Sequence, residues 1–349
     1  MKAFVTGGTG LLGWNLVDQL LEQGHSVKAL VRSEERARLL PESGQLEIVV
    51  GNLEDVPAFG DDLEGCDVVL HCAGYHRECS ASGDHREALR RINVDATVSL
   101  IEAAREHGVG NFVFVSSNGA TGAPPNGSAQ TESCPYDNQN DNAYFRSKVE
   151  AERAIDQVLA RDPGMRVVVI RPAMMVGPND AGPSPAGQVL RRLLRGEMPV
   201  VLPGNLVVVD ARDVASAVLA AATRGVSGDR FIVGGRAVTF LELASTVEAA
   251  AGVPAPRRRP PYPVALAMLT LAAVAGRVSG HLAPVSPADL RRMRHLRAPD
   301  SSKAARVLGV EFRPLTETIR DTVAWLQADS ASIEASGGGG SRLTRTTTR

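Results

Sequence analysis

Three glycines spaced three apart, Gly7, Gly10 and Gly13, stand where an apolar run from Lys2 to Thr6 ends and an amphipathic run from Leu11 to Glu22 begins. No other feature restricts the fold as much, because a strand must turn tightly into a helix there and each glycine has its own task. The first permits the turn, the second lets backbone N–H groups approach a pyrophosphate, and the third lets the helix pack closely on the strand. The helix N-terminus then faces the phosphate charge. Thr6, Gly7, Gly10, Leu11, Leu12 and Gly13 are therefore expected to cradle a dinucleotide.

The chain up to about position 172 repeats this strand and helix alternation. Further β-rich runs lie at Ser26–Val31, Leu46–Val50, Val68–His71, Phe112–Val115 and Arg166–Ile170, with helical patterns at Arg86–Glu106 and Ala143–Ala160. Parallel βαβ units covered on both faces read in this way, so the expected class is α/β, a doubly wound parallel sheet of the Rossmann kind. Residues 1–172 form that core, and Leu206–Val209 with the Ala-rich helix after it, 206–224, is expected to return to it. Residues 173–205 and 225–329 are expected to make a smaller mixed C-terminal substrate lobe. From Ser330 to Arg349 the composition collapses to Ser, Ala, Gly, Thr and Arg, which predicts a disordered tail.

With 38 basic and 39 acidic side chains, the charge balance calls for no nucleic acid. Cys66, Cys72, Cys79 and Cys134 form no CxxC pair, and the gaps that interleave them with His71, His76 and His85 match no standard metal site, so none is expected. The opening strand carries no charged leader, and a cytoplasmic location follows as an expectation. Val264–Ala275, about twelve apolar residues, is too short for an integral membrane span. It reads as a buried helix, or at most a surface-associated one.

Loops at the carboxyl edge of such a sheet line its crevice. Asn52 and Leu53 after the third strand, and Cys72, Ala73 and Gly74 after the fourth, are expected beside adenine and the inner ribose. At the end of the second strand, where an acid would hold the ribose 2′-hydroxyl of NAD, the chain has Arg32, which suits the 2′-phosphate of NADP; Glu34 and Glu35 leave NAD open.

Ser116 and Ser117 end the fifth strand, and Tyr144 and Lys148 follow on a helix at i and i+4, on one face. An unperturbed tyrosine, with a pKa of about 10, is a poor base at neutral pH, but an adjacent ammonium favours the phenolate. The phenol can then give a proton to a carbonyl oxygen as hydride arrives, or take one in reverse, while Ser117 holds that oxygen and Lys148 reaches the nicotinamide ribose.

Taken together, TGGTGLLG at 6–13, HCAG at 71–74, Asn93-Val94, VSS at 115–117, YFRSK at 144–148, RPAMMVGP at 171–178 and DARDVASA at 210–217 resemble the extended short-chain dehydrogenase/reductase superfamily. Within it the chain looks most like the dihydroflavonol-4-reductase and 3β-hydroxysteroid dehydrogenase-like branch, alongside NAD-dependent epimerase/dehydratase relatives. The resemblance implies a catalytic Ser117, Tyr144 and Lys148, a supporting Asn93, a cofactor contact at Ser116, and Pro172, Ala173, Met174 and Met175 along the nicotinamide. Two departures stand out. Asn52 replaces the usual acid of a GDL motif, and Asn118-Gly119 follows the catalytic serine where sugar dehydratases carry an acid, which argues against dehydration.

The first functional expectation is an NAD(P)-dependent oxidoreductase acting on a ketone, aldehyde or alcohol. An alternative is a nucleotide-sugar epimerase that retains NAD, with Arg257–Arg259 or Arg291-Arg292 gripping a diphosphate, although such runs are more often solvated faces. A dinucleotide-sensing regulator would be expected to lack the Tyr and Lys. The partner is a small molecule, and a homodimer is compatible with the reading.

Overall fold

The first strand shows why the β runs are almost continuously apolar. In β1 (Lys2–Thr6), Ala3 and Val5 face one layer with Leu16, Leu20, Val214 and Val218, while Phe4 faces the other with Leu100, Ile101 and Phe112. A strand covered on both faces has no solvent side on which to place polar residues. The computed structural model describes all but residues 77–83, 123, 125–126, 139–140, 162–163, 183, 280–284 and 338–349, with backbone alone at 277–279 and 330–337. Cys79 lies outside the described residues.

The strands after β1 are β2 (Ser26–Val31), β3 (Leu46–Val50), β4 (Val68–His71), β5 (Asn111–Val115), β6 (Arg166–Pro172), β7 (Met174–Val176), β8 (Asn205–Asp210), β9 (Arg230–Val233) and β10 (Arg236–Thr239). The helices are α1 (Leu11–Glu22), α2 (Glu34–Ala37), α3 (Arg86–Arg90), α4 (Ala96–Glu106), α5 (Ala143–Arg161), α6 (Pro185–Leu194), α7 (Ala211–Ala221), α8 (Phe240–Ala251), α9 (Tyr262–Ser279), α10 (Pro287–Met293), α11 (Ser302–Leu308) and α12 (Leu315–Gly337). Seven parallel strands form the main sheet in the order β3-β2-β1-β4-β5-β6-β9. The order reverses between β1 and β4, and that switch point is where open α/β sheets leave a crevice. A second, mixed sheet runs β10-β8-β7, with β7 parallel and β10 antiparallel to β8.

Two segments trade places relative to the sequence expectation. The 206–209 run does not return to the main sheet: it is the middle strand of the small one. Phe231–Val233, expected in the substrate lobe, instead closes the main sheet beside β6. Helix α7 returns to the core, packing against α1, and β8 lends Val207 and Val209 to that core without joining the main sheet. A buried β-branched run states that it is a strand but not which neighbour it will pair with.

Three further expectations change. The helical pattern at 86–106 is interrupted by a π-helical turn over Arg91–Asp95, between α3 and α4. The tail expected from Ser330 meets helix α12, which continues to Gly337; residues 338–349 lie outside the described ones. Finally, α9 is not a core helix. Ala265 and Leu266 pack towards Leu202 and Leu290, but Leu271 is 71% exposed and Val274 54%. Among the described residues no helix is long and apolar enough to cross a membrane.

Candidate active site at the switch point

The glycine loop has the shape its sequence requires. Gly7 adopts φ +75°, and a Cβ there would lie 2.7 Å from the Ala73 nitrogen. A Cβ on Gly13 would overlap the Gly7 carbonyl. Gly10 caps α1 with no side-chain hydrogen bond, so no side chain occupies the first-turn N–H groups. These observations fit a dinucleotide, whose pyrophosphate needs a side-chain-free approach to open N–H groups. Leu11 and Leu12 are buried and can contribute only backbone there.

Thr6, the last residue of β1, is buried and shares a hydrogen-bond chain that the sequence reading missed. Thr6 Oγ1 lies 2.6 Å from His71 Nδ1, and His71 Nε2 lies 3.0 Å from Thr97 Oγ1. Burial, with the nearby Lys148 charge, pushes His71 down to about 3, so the ring is neutral and carries one hydrogen. Thr97 donates to the Asn93 carbonyl at 2.9 Å and must accept from Nε2–H; Nδ1 then accepts from Thr6, which accepts from Ala73 N–H at 3.3 Å. This chain ties the glycine loop to Asn93. Its only sequence signal is the polar pair Thr6 and His71 at adjacent strand ends.

The Cys72-Ala73-Gly74 turn after β4 joins the two halves of the site. Ala73 abuts Gly7, and a Cβ on Gly74 would lie 3.3 Å from Asn93 Oδ1 and 3.4 Å from Lys148 Nζ. Burial pushes the Cys72 thiol up to about 12, so it is a neutral wall. Asn93, on the π-helical turn, accepts from Tyr75 N–H at 2.7 Å and donates to the Tyr75 carbonyl at 3.1 Å and to Ser147 Oγ at 2.9 Å.

Helix α5 presents Tyr144, Lys148 and Glu152 along one face, four residues apart. Lys148 is buried, donates to the Val115 carbonyl at 2.9 Å, and sits 4.7 Å from the Phe114 ring centre and 5.9 Å from that of Tyr144. Burial lowers its pKa to about 8, and the carboxylate of Glu152 opposes that fall. Tyr144 is half-buried, its ring centre 4.2 Å from that of His76 with the two planes tilted at 44°. It lines an open pocket of about 400 Å³ with Asp84, His85, Leu89, Asn142 and Arg146. Ser117, 8% exposed, accepts from Gly119 N–H at 3.3 Å, which leaves its own hydroxyl hydrogen for another acceptor. Gly119 has no room for a Cβ because the Phe145 ring fills that space.

Other expected residues are placed less simply. Ser116 is buried and turns its hydroxyl to Glu152 at 2.6 Å. Leu53 is buried among Val49, Val56 and Phe59. Asn52 accepts from Glu54 N–H at 3.2 Å, and Glu54 in turn pairs with Arg91. Arg32 is exposed at the carboxyl end of β2 and makes no ion pair among the described residues. Pro172 and Ala173 carry the chain from the main sheet to β7, where Met174 and Met175 are half-buried against opposite cores. Of the arginines considered for a diphosphate, Arg292 stacks at 4.2 Å on Phe145, Arg257 pairs with Glu248, and Arg258 and Arg259 are exposed.

Beneath Lys148 lies a buried network that sequence reading did not identify. Glu152 accepts from Arg171 Nε and Nη2 at 3.0 and 2.6 Å, from Arg230 Nε at 3.0 Å, and from Ser116. Tyr136 stacks over both guanidinium groups and is pushed up to about 12, chiefly by burial. The Arg171 that opens the RPAMMVGP run is therefore a core counter-ion, 2% exposed.

This geometry agrees with comparisons to known proteins. The model of the NAD dependent epimerase/dehydratase family matches residues 3–234. A Synechocystis sp. protein provisionally named dihydroflavonol 4-reductase is 34% identical over 337 residues, covering 93% of this chain and 94% of its own. Sterol demethylase protein B of Methylococcus capsulatus is 31% identical over 331 residues, covering 94% and 98%. The crystal structure of gox2253 superimposes with a TM-score of 0.79 at 28% identity, over 94% of this chain and 98% of that one. The chain belongs to the NAD dependent epimerase/dehydratase family, in the reductase and dehydrogenase branch of the extended short-chain dehydrogenases/reductases, and is an oxidoreductase.

Proposed function

We propose that this chain reduces a ketone or aldehyde, or oxidises the corresponding alcohol, with NADP as the preferred dinucleotide and Ser117, Tyr144 and Lys148 as the catalytic residues. The observation that carries the reading is the Cys72–Gly74 turn: Ala73 lies where a Cβ on Gly7 would collide with it, and a Cβ on Gly74 would crowd both Asn93 Oδ1 and the Lys148 amine. When bound, the dinucleotide supplies or takes up the hydride. Tyr144 gives the proton to the substrate oxygen, and Ser117 holds that oxygen with its uncommitted hydroxyl hydrogen. The Lys148 ammonium, anchored on the Val115 carbonyl, favours the phenolate that remains and has two further N–H groups to offer a ribose. Asn93 positions Tyr75 and Ser147 around them.

Two measurements test the assignment. Carbonyl-reducing kcat/KM is expected to be level below and to fall above a pH of about 8, as the buried amine loses its proton. Glu152→Gln removes the charge that favours the ammonium, so its alkaline limb is expected at lower pH. An unmoved limb would separate Lys148 from the chemistry.

Arg32 supports NADP, since it is exposed at the β2 end and makes no ion pair among the described residues, although Glu34 and Glu35 stand close in the chain. Arg32→Glu is expected to weaken NADPH relative to NADH by about tenfold or more, the worth of one charge-assisted hydrogen bond. An unchanged ratio would refute the 2′-phosphate contact. The nucleotide released on denaturing the fresh protein discriminates the wider reading: a stoichiometric retained NAD would point to an epimerase instead.

A further inference from the structure

We propose that α9 and the arginines around it form a docking face for an anionic lipid surface, on which the protein lies without spanning. A helix apolar all round is ordinarily a buried one. From Tyr262 to Gly276, α9 carries no charged residue, and its inner side, Tyr262, Ala265, Leu266 and Leu269, packs towards α10. Its outer side is bare. Val264, Met268, Leu271 and Val274, spaced four, three and three apart, fall on one arc of the helix and are 49%, 44%, 71% and 54% exposed. They are half of the eight large apolar side chains exposed among the described residues, so the exposure is concentrated rather than scattered.

Charge selects the occupant. Between Gly252 and Pro299 the sequence holds eight arginines and a single acid, Asp289, on a chain whose total is −1; Arg257 pairs with Glu248 and Arg292 lies against Phe145, which leaves an excess of positive charge in the segment. Arg258 and Arg259, just before α9, are exposed and make no ion pair among the described residues. Arg294 lies 5.0 Å from the Tyr262 ring centre, at the start of the same helix. A second copy of this chain would bring one positive pole against another. An anionic bilayer meets both features, taking the apolar arc into its headgroup boundary and the arginines onto its phosphates. The helix is not long and apolar enough to cross.

The test needs neither substrate nor cofactor, so its outcome is independent of the proposed reaction. The full-length chain is expected to co-sediment with vesicles of phosphatidylcholine and phosphatidylglycerol in equal parts, far less with phosphatidylcholine alone, and less as salt is raised. Leu271→Glu, and separately Arg258→Glu combined with Arg259→Glu, are expected to weaken binding to the mixed vesicles by about tenfold or more. All these positions are exposed, and circular dichroism checks that the variants keep the fold. Failure of the wild type to bind mixed vesicles would overturn the proposal. So would variants that bind equally well, or a wild-type dimer in solution that Leu271→Glu dissociates, since the apolar arc would then be a protein interface.

Discussion

Tyr144→Phe is expected to lower kcat for carbonyl reduction by roughly a hundred- to ten-thousandfold, the usual worth of a positioned general acid. The substitution deletes one oxygen and retains the ring that packs against His76 and Phe145, so the helix start and the pocket wall keep their packing. Dinucleotide affinity is expected to stay near wild type, because the glycine loop, the Ala73 turn and Lys148 are untouched. Steady-state kinetics beside a titration of NADPH fluorescence separates the two quantities. Wild-type turnover in the variant would remove the proton-transfer role, whereas joint loss of turnover and binding would mean that the ring supports the site rather than reacts in it.

The second large effect is on stability. Glu152→Ala takes the carboxylate from between Arg171 and Arg230 and leaves a guanidinium 2% exposed without its counter-ion. Breaking a buried pair from one side costs roughly 3–5 kcal/mol, because the remaining charge is desolvated and unpaired. Ser116 and Thr121, each hydrogen-bonded into the pair, would lose or strain a partner as well. Urea unfolding should show the free energy of unfolding falling by that amount, through a lower midpoint at an unchanged slope. A loss below about 1 kcal/mol, the scale of a solvent-screened pair, would mean that water reaches the site.

Much of the candidate site can be read in the chain because its parts are local. The glycine spacing is a statement about one turn, and Tyr144 with Lys148 is a statement about one face of one helix. Residues that act across the fold were harder to see. Glu152, Arg171 and Arg230 come from α5, β6 and β9, and nothing in their separate surroundings distinguishes a buried counter-ion from a solvated charge. Ser116 shows the limit of a short motif: in a VSS run it looks like its neighbour Ser117, yet its hydroxyl meets the buried Glu152 carboxylate while that of Ser117 accepts from Gly119 N–H.

The parallel sheet followed from sequence alone, since runs apolar on both faces, alternating with amphipathic helices, have few other ways to bury their surface. Partner choice did not. Whether Leu206–Val209 or Phe231–Val233 would complete the main sheet depends on long-range pairing, and both runs are equally good strands. In the same way, an uncharged stretch such as Val264–Ala275 announces a need for cover without naming what supplies it. Tertiary structure decided that the core covers only one side, because the contacts that would bury the other lie outside the information carried by any local pattern.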